Sequence, residues 1–228
     1  MAGLSILIPT LNEGRRLPLL LADLARWPHG LQVIVIDGGS QDQTTAVADL
    51  AGVKTLTSPE RGRGQQLIHG MAAARHDWTL VLHADSRLPH RWCSAVQRVI
   101  DHPHAASDAW YFDFRVEARG PMLWLLERCV ALRSGLGQRP YGDQGLLIHR
   151  TLYTASGGYR PIPLMEDLDL VERIARTHRL RRLGCPLVTS NRRWQGQGVI
   201  SRAWHNWMLR RRWHQGIAAD QLAGDYNP

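Results

Sequence analysis

The chain has few cysteines, almost no lysine and no long apolar run. Cys93, Cys129 and Cys185 are widely spaced and odd in number, so neither a disulfide framework nor a Cys-based metal site follows from them, and a reducing cytosol is the expectation. No apolar stretch approaches the roughly 20 residues needed to span a bilayer. An apolar strand begins within four residues of the start, with no basic segment before it, so no signal peptide is expected. Gly-x-Gly-x-x-Gly is absent after the first strand and a Walker lysine is absent throughout, which argues against those two phosphate-binding fingerprints. Repeats and low-complexity segments are also missing.

What is present is arginine. Of 28 basic residues only Lys54 is lysine, a ratio that reads as codon composition more than function. The formal net charge of +8 permits nucleotide phosphates, nucleic acid or an anionic membrane as partners without choosing among them. With 228 residues and 44% hydrophobic content, the chain suits a single domain with a proper core.

Strand and helix signals alternate through the first hundred residues. Strands are expected at Leu4 to Ile8 (ended by Pro9), Gln32 to Ile36, Val53 to Leu56 and Trp78 to Leu82. Helices are expected around Leu17 to Leu24, Gln43 to Ala51, Gly64 to Arg75 and Pro89 to Ile100. Such alternation predicts βαβ units and a mainly parallel sheet. Beyond about residue 105 the pattern changes. A half-exposed strand is expected over Ala109 to Ala118, a helix over Pro121 to Arg133 and a short strand over Gly142 to Ile148. Further helices are expected over Glu166 to Thr177 and Val199 to Gly216. We read one domain in two functional halves, 1–105 and 106–228.

Polar groups gather where the strands end. The first strand runs into Pro9-Thr10-Leu11-Asn12-Glu13, the second into Asp37-Gly38-Gly39-Ser40-Gln41-Asp42, and the fourth into His83-Ala84-Asp85. Ligands of open α/β sheets bind outside the carboxyl ends of the strands, so these turns share a candidate edge. Asp85 suits a metal ion holding a diphosphate, and it also reads as a cap for the next helix. Asp42 reads mainly as a cap. Arg61-Gly62-Arg63-Gly64 reads as a phosphate clasp or as a solvated basic loop.

Together the motifs Ile8 to Glu13, Val35 to Thr44, Leu82 to Asp85, Gly142 to Gly145 and Pro163 to Asp167 resemble a family 2 glycosyltransferase of the GT-A fold. The five stations fall in the family's order between about residues 4 and 195. The pattern is most similar to the small bacterial subgroup associated with radical-SAM and selenoprotein-type domains. The resemblance implies a Rossmann-like sheet whose first half binds a UDP- or GDP-sugar. Pro9, Thr10, Asn12 and Glu13 would line the nucleotide pocket, Asp37 would accept from base or ribose, and Arg63 would lie near base and phosphates. His83-Ala84-Asp85 would occupy the Asp-x-Asp position, with Asp85 on Mg²⁺ or Mn²⁺. Asp143 and Gln144 would contact donor or acceptor or merely shape a turn, Glu166 would contact substrate, and Asp167 would be the base of an inverting transfer; Glu166 and Asp167 also read as first-turn acids that complement a helix dipole. Arg193-Trp194 falls near a Gln-x-x-Arg-Trp position but lacks its Gln, which argues against a polymerising synthase. His83 replaces a common aspartate and weakens the expected hold on a hard cation.

Two other readings stand beside this one: a nucleotidyltransferase, which would need a basic triphosphate loop, and a non-catalytic basic binding module. No nucleic-acid partner is expected. Residues 199 to 216 interleave Trp204, Trp207 and Trp213 with Arg202, Arg210, Arg211 and Arg212. That mixture suits a peripheral contact at the inner membrane face. It is read first as tryptophans packed on the domain with arginines facing water.

Overall fold

The computed structural model describes residues 3–60, 62–192 and 198–226. Seven strands form one sheet in the order β3-β2-β1-β4-β6-β5-β7. They are β1 (Leu4–Thr10), β2 (Leu31–Asp37), β3 (Lys54–Thr57), β4 (Trp78–Val81), β5 (Ala109–Val116), β6 (Leu146–His149) and β7 (Leu180–Thr189). β1, β2, β3 and β4 pair in parallel, as do β5 and β7, while β6 runs antiparallel to both its neighbours.

The inner strands are apolar on both faces because helices cover both. Leu4, Ile6 and Ile8 of β1 join one core with Val35, Leu80 and Phe112, while Leu7 joins the other with Ile34, Ile36 and Val81. Helix α1 (Leu17–Leu24) closes the first core with Leu17, Leu20, Leu21 and Leu24, the spacing of one helical face. α4 (Trp92–Ile100) adds Trp92, Val96 and Ile100, and α2 (Thr44–Leu50) adds Ala48. The opposite face is covered by α3 (Arg63–Ala73), α6 (Arg150–Ala155) and α7 (Glu166–Ala175), through Leu67, Leu152, Leu170, Val171 and Ile174. α5 (Pro121–Gly135) lies over Phe114 and Val116 through Val130, and α8 (Val199–His214) and α9 (Ala219–Tyr226) follow β7.

Four expectations change. Pro9 does not end β1, which pairs with β2 as far as Thr10. The carbonyl of Leu7 faces β4 and that of Thr10 faces Gly38, so Pro9 points to the β4 side, where β4 has already ended. Its missing N–H therefore breaks no ladder bond. β5 is not half-exposed. It lies between β6 and β7, with Tyr111 buried in one core and Phe112 in the other. Gly142 to Gln144 form a 3₁₀ turn, and the strand starts only at Leu146. The fourth change concerns α6, β7 and α9, none of which was expected from the sequence. β7 carries an irregularity: its pairing with β5 jumps from Tyr111–Arg182 to Asp113–Pro186.

Candidate active site

The carboxyl ends of β1, β2 and β4 open on a cavity of about 890 Å³ that α3, α5, α7, α8 and α9 complete. Gln66 of α3, which is buried, ties the first two ends together. Its amide donates to the Thr10 carbonyl at 2.9 Å and the Ile36 carbonyl at 2.7 Å. Pro9, Thr10, Asn12 and Glu13 all line the cavity. Asn12 has φ 56°, a left-handed conformation that asparagine tolerates. Its side chain accepts from the Gln41 N–H at 2.8 Å, which locks the two loops together.

Asp37 is buried and its carboxylate is engaged by its own turn. It accepts from the Gly39 and Ser40 backbones at 3.0 and 2.9 Å and from the Ser40 hydroxyl at 2.5 Å. It does not line the cavity, whereas Gly38, Gly39 and Gln41 of the turn it builds do. Asp42 accepts from the Thr44 N–H at 2.9 Å at the start of α2 and from the Gly14 N–H at 3.0 Å.

Asp85 lines the cavity and is buried. The cap reading of this residue fails: α4 begins at Trp92, and no side chain caps it. Instead, the stretch after Asp85 is fastened to its neighbours. Ser86 closes a turn on His83, Leu88 donates to Asp23 of α1 at 2.9 Å, and Arg87 pairs with Asp23 at 2.7 Å and with the backbone of Val188. Arg192 reaches over the site, touching the Glu13 carboxylate and lying 3.4 Å from Asp85 Oδ2. Sequence reasoning passed over Arg192 for its neighbour; Arg193 and Trp194, like Arg61, lie outside the described residues.

The second acidic station is built by α7. Met165 precedes it with φ 67°, a left-handed conformation that costs a non-glycine residue on the order of 1 kcal/mol. This bend presents Glu166 and Asp167 to the cavity. Asp167 Oδ2 accepts from the Gly142 N–H at 2.5 Å, and Oδ1 accepts from the Leu168 N–H at 2.7 Å. Glu166 is buried and lies 2.9 Å from Arg63 Nε, an ion pair too bent for a directed hydrogen bond. Burial pushes the Glu166 carboxyl up to about 7, with Asp167 adding to the rise and Arg63 opposing it. For Arg63, burial pulls downward, yet Glu166 and Asp167 together hold the guanidinium above its ordinary value. The two directions agree once the triad is read as two acids sharing one cation.

Arg63 also contacts His83 Nε2. A guanidinium cannot accept, so this contact needs Nε2 as acceptor and the ring proton on Nδ1. His83 Nε2 is thus taken up by Arg63. Gly142 is where these groups meet: a Cβ there would lie 2.8 Å from Arg63 Nη2, 2.8 Å from His83 Nε2 and 2.9 Å from Asp167 Oδ2.

Asp143 and Ala84 line the cavity, but Gln144 does not. Gln144 is buried, with Oε1 accepting from Ser134 at 2.7 Å and Arg133 at 3.1 Å, and Nε2 donating to the Phe112 carbonyl at 3.2 Å. Its side chain is bonded inside the fold, which fits the second of its two readings, a residue that shapes the turn. His214 is turned toward Glu172, 3.4 Å away.

Helix α8 also reverses expectation. Arg202 and Arg210 line the cavity, while Trp204 and Trp207 are exposed, at 62% and 41%. The cavity already holds acidic residues that attract the guanidiniums, and Leu209 alone is buried on this helix. Among the described residues no helix is long and apolar enough to cross a membrane.

The sheet, the strand-end cavity and the paired acidic stations define an α/β domain of the GT-A glycosyltransferase type. Residues 5–157 match the model of glycosyl transferase family 2, and the chain belongs to that family. It is similar to an uncharacterized glycosyltransferase of Mycobacterium tuberculosis, 33% identical over 90 residues, covering 39% of this chain and 40% of the relative. A PGL/p-HBAD biosynthesis glycosyltransferase of Mycobacterium bovis is 31% identical over 116 residues, covering 48% of this chain and 45% of its own. The chain therefore matches less than half the length of these relatives. Among solved structures, the mannosyltransferase of Pyrobaculum calidifontis in complex with GDP-Man and Mn²⁺ has a TM-score of 0.65 at 17% identity, over 91% of this chain and 60% of that one. Glucosyl-3-phosphoglycerate synthase of Mycobacterium tuberculosis, in complex with Mn²⁺, UDP and glucosyl-3-phosphoglycerate, has 0.60 at 19%, over 84% and 73%.

Proposed function

We propose that the chain transfers a glycosyl group from a nucleotide-diphosphate sugar to an acceptor hydroxyl with inversion, using Asp167 as the general base. The observation that carries this reading is that Asp167, Asp85 and the β1 and β2 loops line one cavity. In the reaction the acceptor oxygen bonds to the anomeric carbon as its proton passes to Asp167. The bond from that carbon to the diphosphate breaks, and its electron pair leaves with the diphosphate. Base catalysis of this kind is typically worth ~10²–10⁴-fold. The backbone donors of Gly142 and Leu168 fix the orientation of the Asp167 carboxylate. Arg63, held by Glu166, places positive charge beside the acids, where developing anionic charge needs it.

A divalent cation belongs to the same reading, and Mn²⁺ in the complexes of two structural neighbours supports it. No group of three His, Cys, Asp or Glu side chains capable of holding a metal occurs among the described residues. Asp85 fits the remaining case, one carboxylate with donor phosphates and water completing the shell, as Mg²⁺ accepts. When bound, the ion would neutralise the leaving diphosphate. Arg192 already brings a cation to Asp85 and Glu13. UDP or GDP as the nucleotide, a place in the radical-SAM-associated subgroup and a cytoplasmic location at the inner membrane face are parts of this reading. Three free cysteines and the exposed tryptophans of α8 support the last.

The test is Asp167→Asn. Release of nucleoside diphosphate from a bound UDP- or GDP-sugar should fall by ~10²-fold or more, with nucleotide affinity unchanged. Full turnover by this variant would refute Asp167 as base.

A further inference from the structure

Arginine is paired with a carboxylate over much of this surface: Arg16 with Glu117, Arg87 with Asp23, Arg173 with Asp169, Arg182 with Asp113. Three cavity-lining arginines differ. Arg133 stacks 3.6 Å from the Tyr141 ring centre, and Arg210 lies 5.2 Å from the same ring. Arg202 stands 5.5 Å from the ring of Tyr226. All three line the cavity, and none ion-pairs with a carboxylate among the described residues. Arg133 spends Nε on the Arg139 carbonyl and one Nη2 bond on Gln144. Two guanidiniums on one ring repel, and burial together with Arg133 lowers the Arg210 pKa against the pull of Tyr141, Asp143 and Asp167. The acids of the cavity draw on these guanidiniums from beyond ion-pair distance, so a bound anion would stabilise the like-charged pair on Tyr141 further.

Their place is specific. Tyr141 adjoins Gly142, whose N–H holds Asp167. The arginines come from α5 and α8, in the second half of the chain, while the loops expected to hold the nucleotide come from the first. We propose that Arg133 and Arg210 form an anion subsite that seats a phosphoryl group of the acceptor beside Asp167, with Arg202 farther along the same cavity wall. Guanidinium forks match phosphate oxygens in geometry and charge. The assignment rests on the glycosyl-transfer reading and adds the acceptor's chemical class: a hydroxyl compound that carries a phosphate. That phosphate belongs to a soluble ester or to a lipid headgroup. The exposed faces of the same two helices, with Trp124, Leu132, Trp204 and Trp207, make the second source testable.

The full chain is saturated with a nucleoside diphosphate and Mn²⁺, which occupies the donor side. Inorganic phosphate is then titrated by calorimetry into wild type, Arg210→Gln, Arg133→Gln and Arg202→Gln. Saturable binding is expected in wild type, weakened at least about tenfold in Arg210→Gln and Arg133→Gln, with nucleotide Kd and melting temperature retained. Phosphate affinity in Arg210→Gln and Arg133→Gln equal to wild type, or no saturable binding in wild type, overturns the subsite. Failure of any nucleoside diphosphate to bind wild type overturns the transfer reading instead. Vesicles separate the sources. Retention on phosphatidylglycerol but not phosphatidylcholine vesicles, lost in Arg210→Gln, assigns a lipid headgroup. Phosphate binding without vesicle retention assigns a soluble ester, and either result supports the subsite.

Discussion

Gly142 is the most exposed point of the proposed mechanism, and a single methyl group tests it. A Cβ at this position would stand 2.8 Å from Arg63 Nη2, 2.8 Å from His83 Nε2 and 2.9 Å from Asp167 Oδ2. Comfortable separations begin near 3.5 Å, so each group must withdraw by about 0.6 Å or the turn must move. All three are ends of side chains, and Gly142 does not have a positive φ, so the backbone itself accepts alanine. Stability should therefore change by no more than about 1 kcal/mol. The effect should fall on the rate. A misplacement of about 1 Å costs on the order of 10²-fold, and the Asp167 hydrogen bond from the Gly142 N–H is the contact disturbed, so kcat should drop by about 10- to 100-fold. Turnover is read as nucleoside diphosphate release, with nucleotide Kd and Tm measured in parallel. Gly135→Ala is the control, because a Cβ there meets nothing within 4 Å. A Gly142→Ala enzyme with a wild-type rate and Tm would refute the convergence of these groups on the chemistry. A large fall in Tm would refute its assignment as a defect of the site alone.

Two further outcomes follow from the acidic stations. Asp85→Asn should abolish the increase in nucleotide affinity that Mn²⁺ produces in wild type, measured by calorimetry with and without the ion. An undiminished Mn²⁺ effect would remove Asp85 from the metal site. Glu166 gives a pH signature. Its carboxyl rises from 4.5 to about 7 on folding, so between those values the folded chain holds a proton that the unfolded chain has lost. Wild-type stability should therefore fall as pH rises through that window. Relative to wild type, Glu166→Gln should gain stability from pH 4 to 8, by on the order of 1–3 kcal/mol. Denaturant melts across the window check it, and a difference that stays flat with pH would refute the buried-acid reading.

The sequence was most readable where a local pattern and a fold rule coincide. Val33 to Asp37 and Thr79 to Asp85 are apolar runs ending in acids, and parallel strands bring such ends to one edge without further information. Readability fell where a long-range partner decides the outcome. In β7, Arg181 and Arg182 are both exposed and the register slips past Gly184, which has φ 73°, so the period of two that marks a strand is broken within the strand itself. β5 was readable as a strand, but its burial depended on β7, which that break had concealed. Gln144 and Asp143 are neighbours of similar polarity, yet Ser134 of α5 and Phe112 of β5 claim the first and leave the second to line the cavity. Helix α8 is the plainest case. Its tryptophans and arginines alternate in a way that fits either orientation, and hydrophobicity alone turns the tryptophans inward. What turned Arg202 and Arg210 inward is a cavity whose walls carry Glu13, Asp85, Asp143 and Asp167. That field comes from β1, β4, the 142–144 turn and α7, so the orientation of the last long helix is a property of the assembled site and was never present in its own residues.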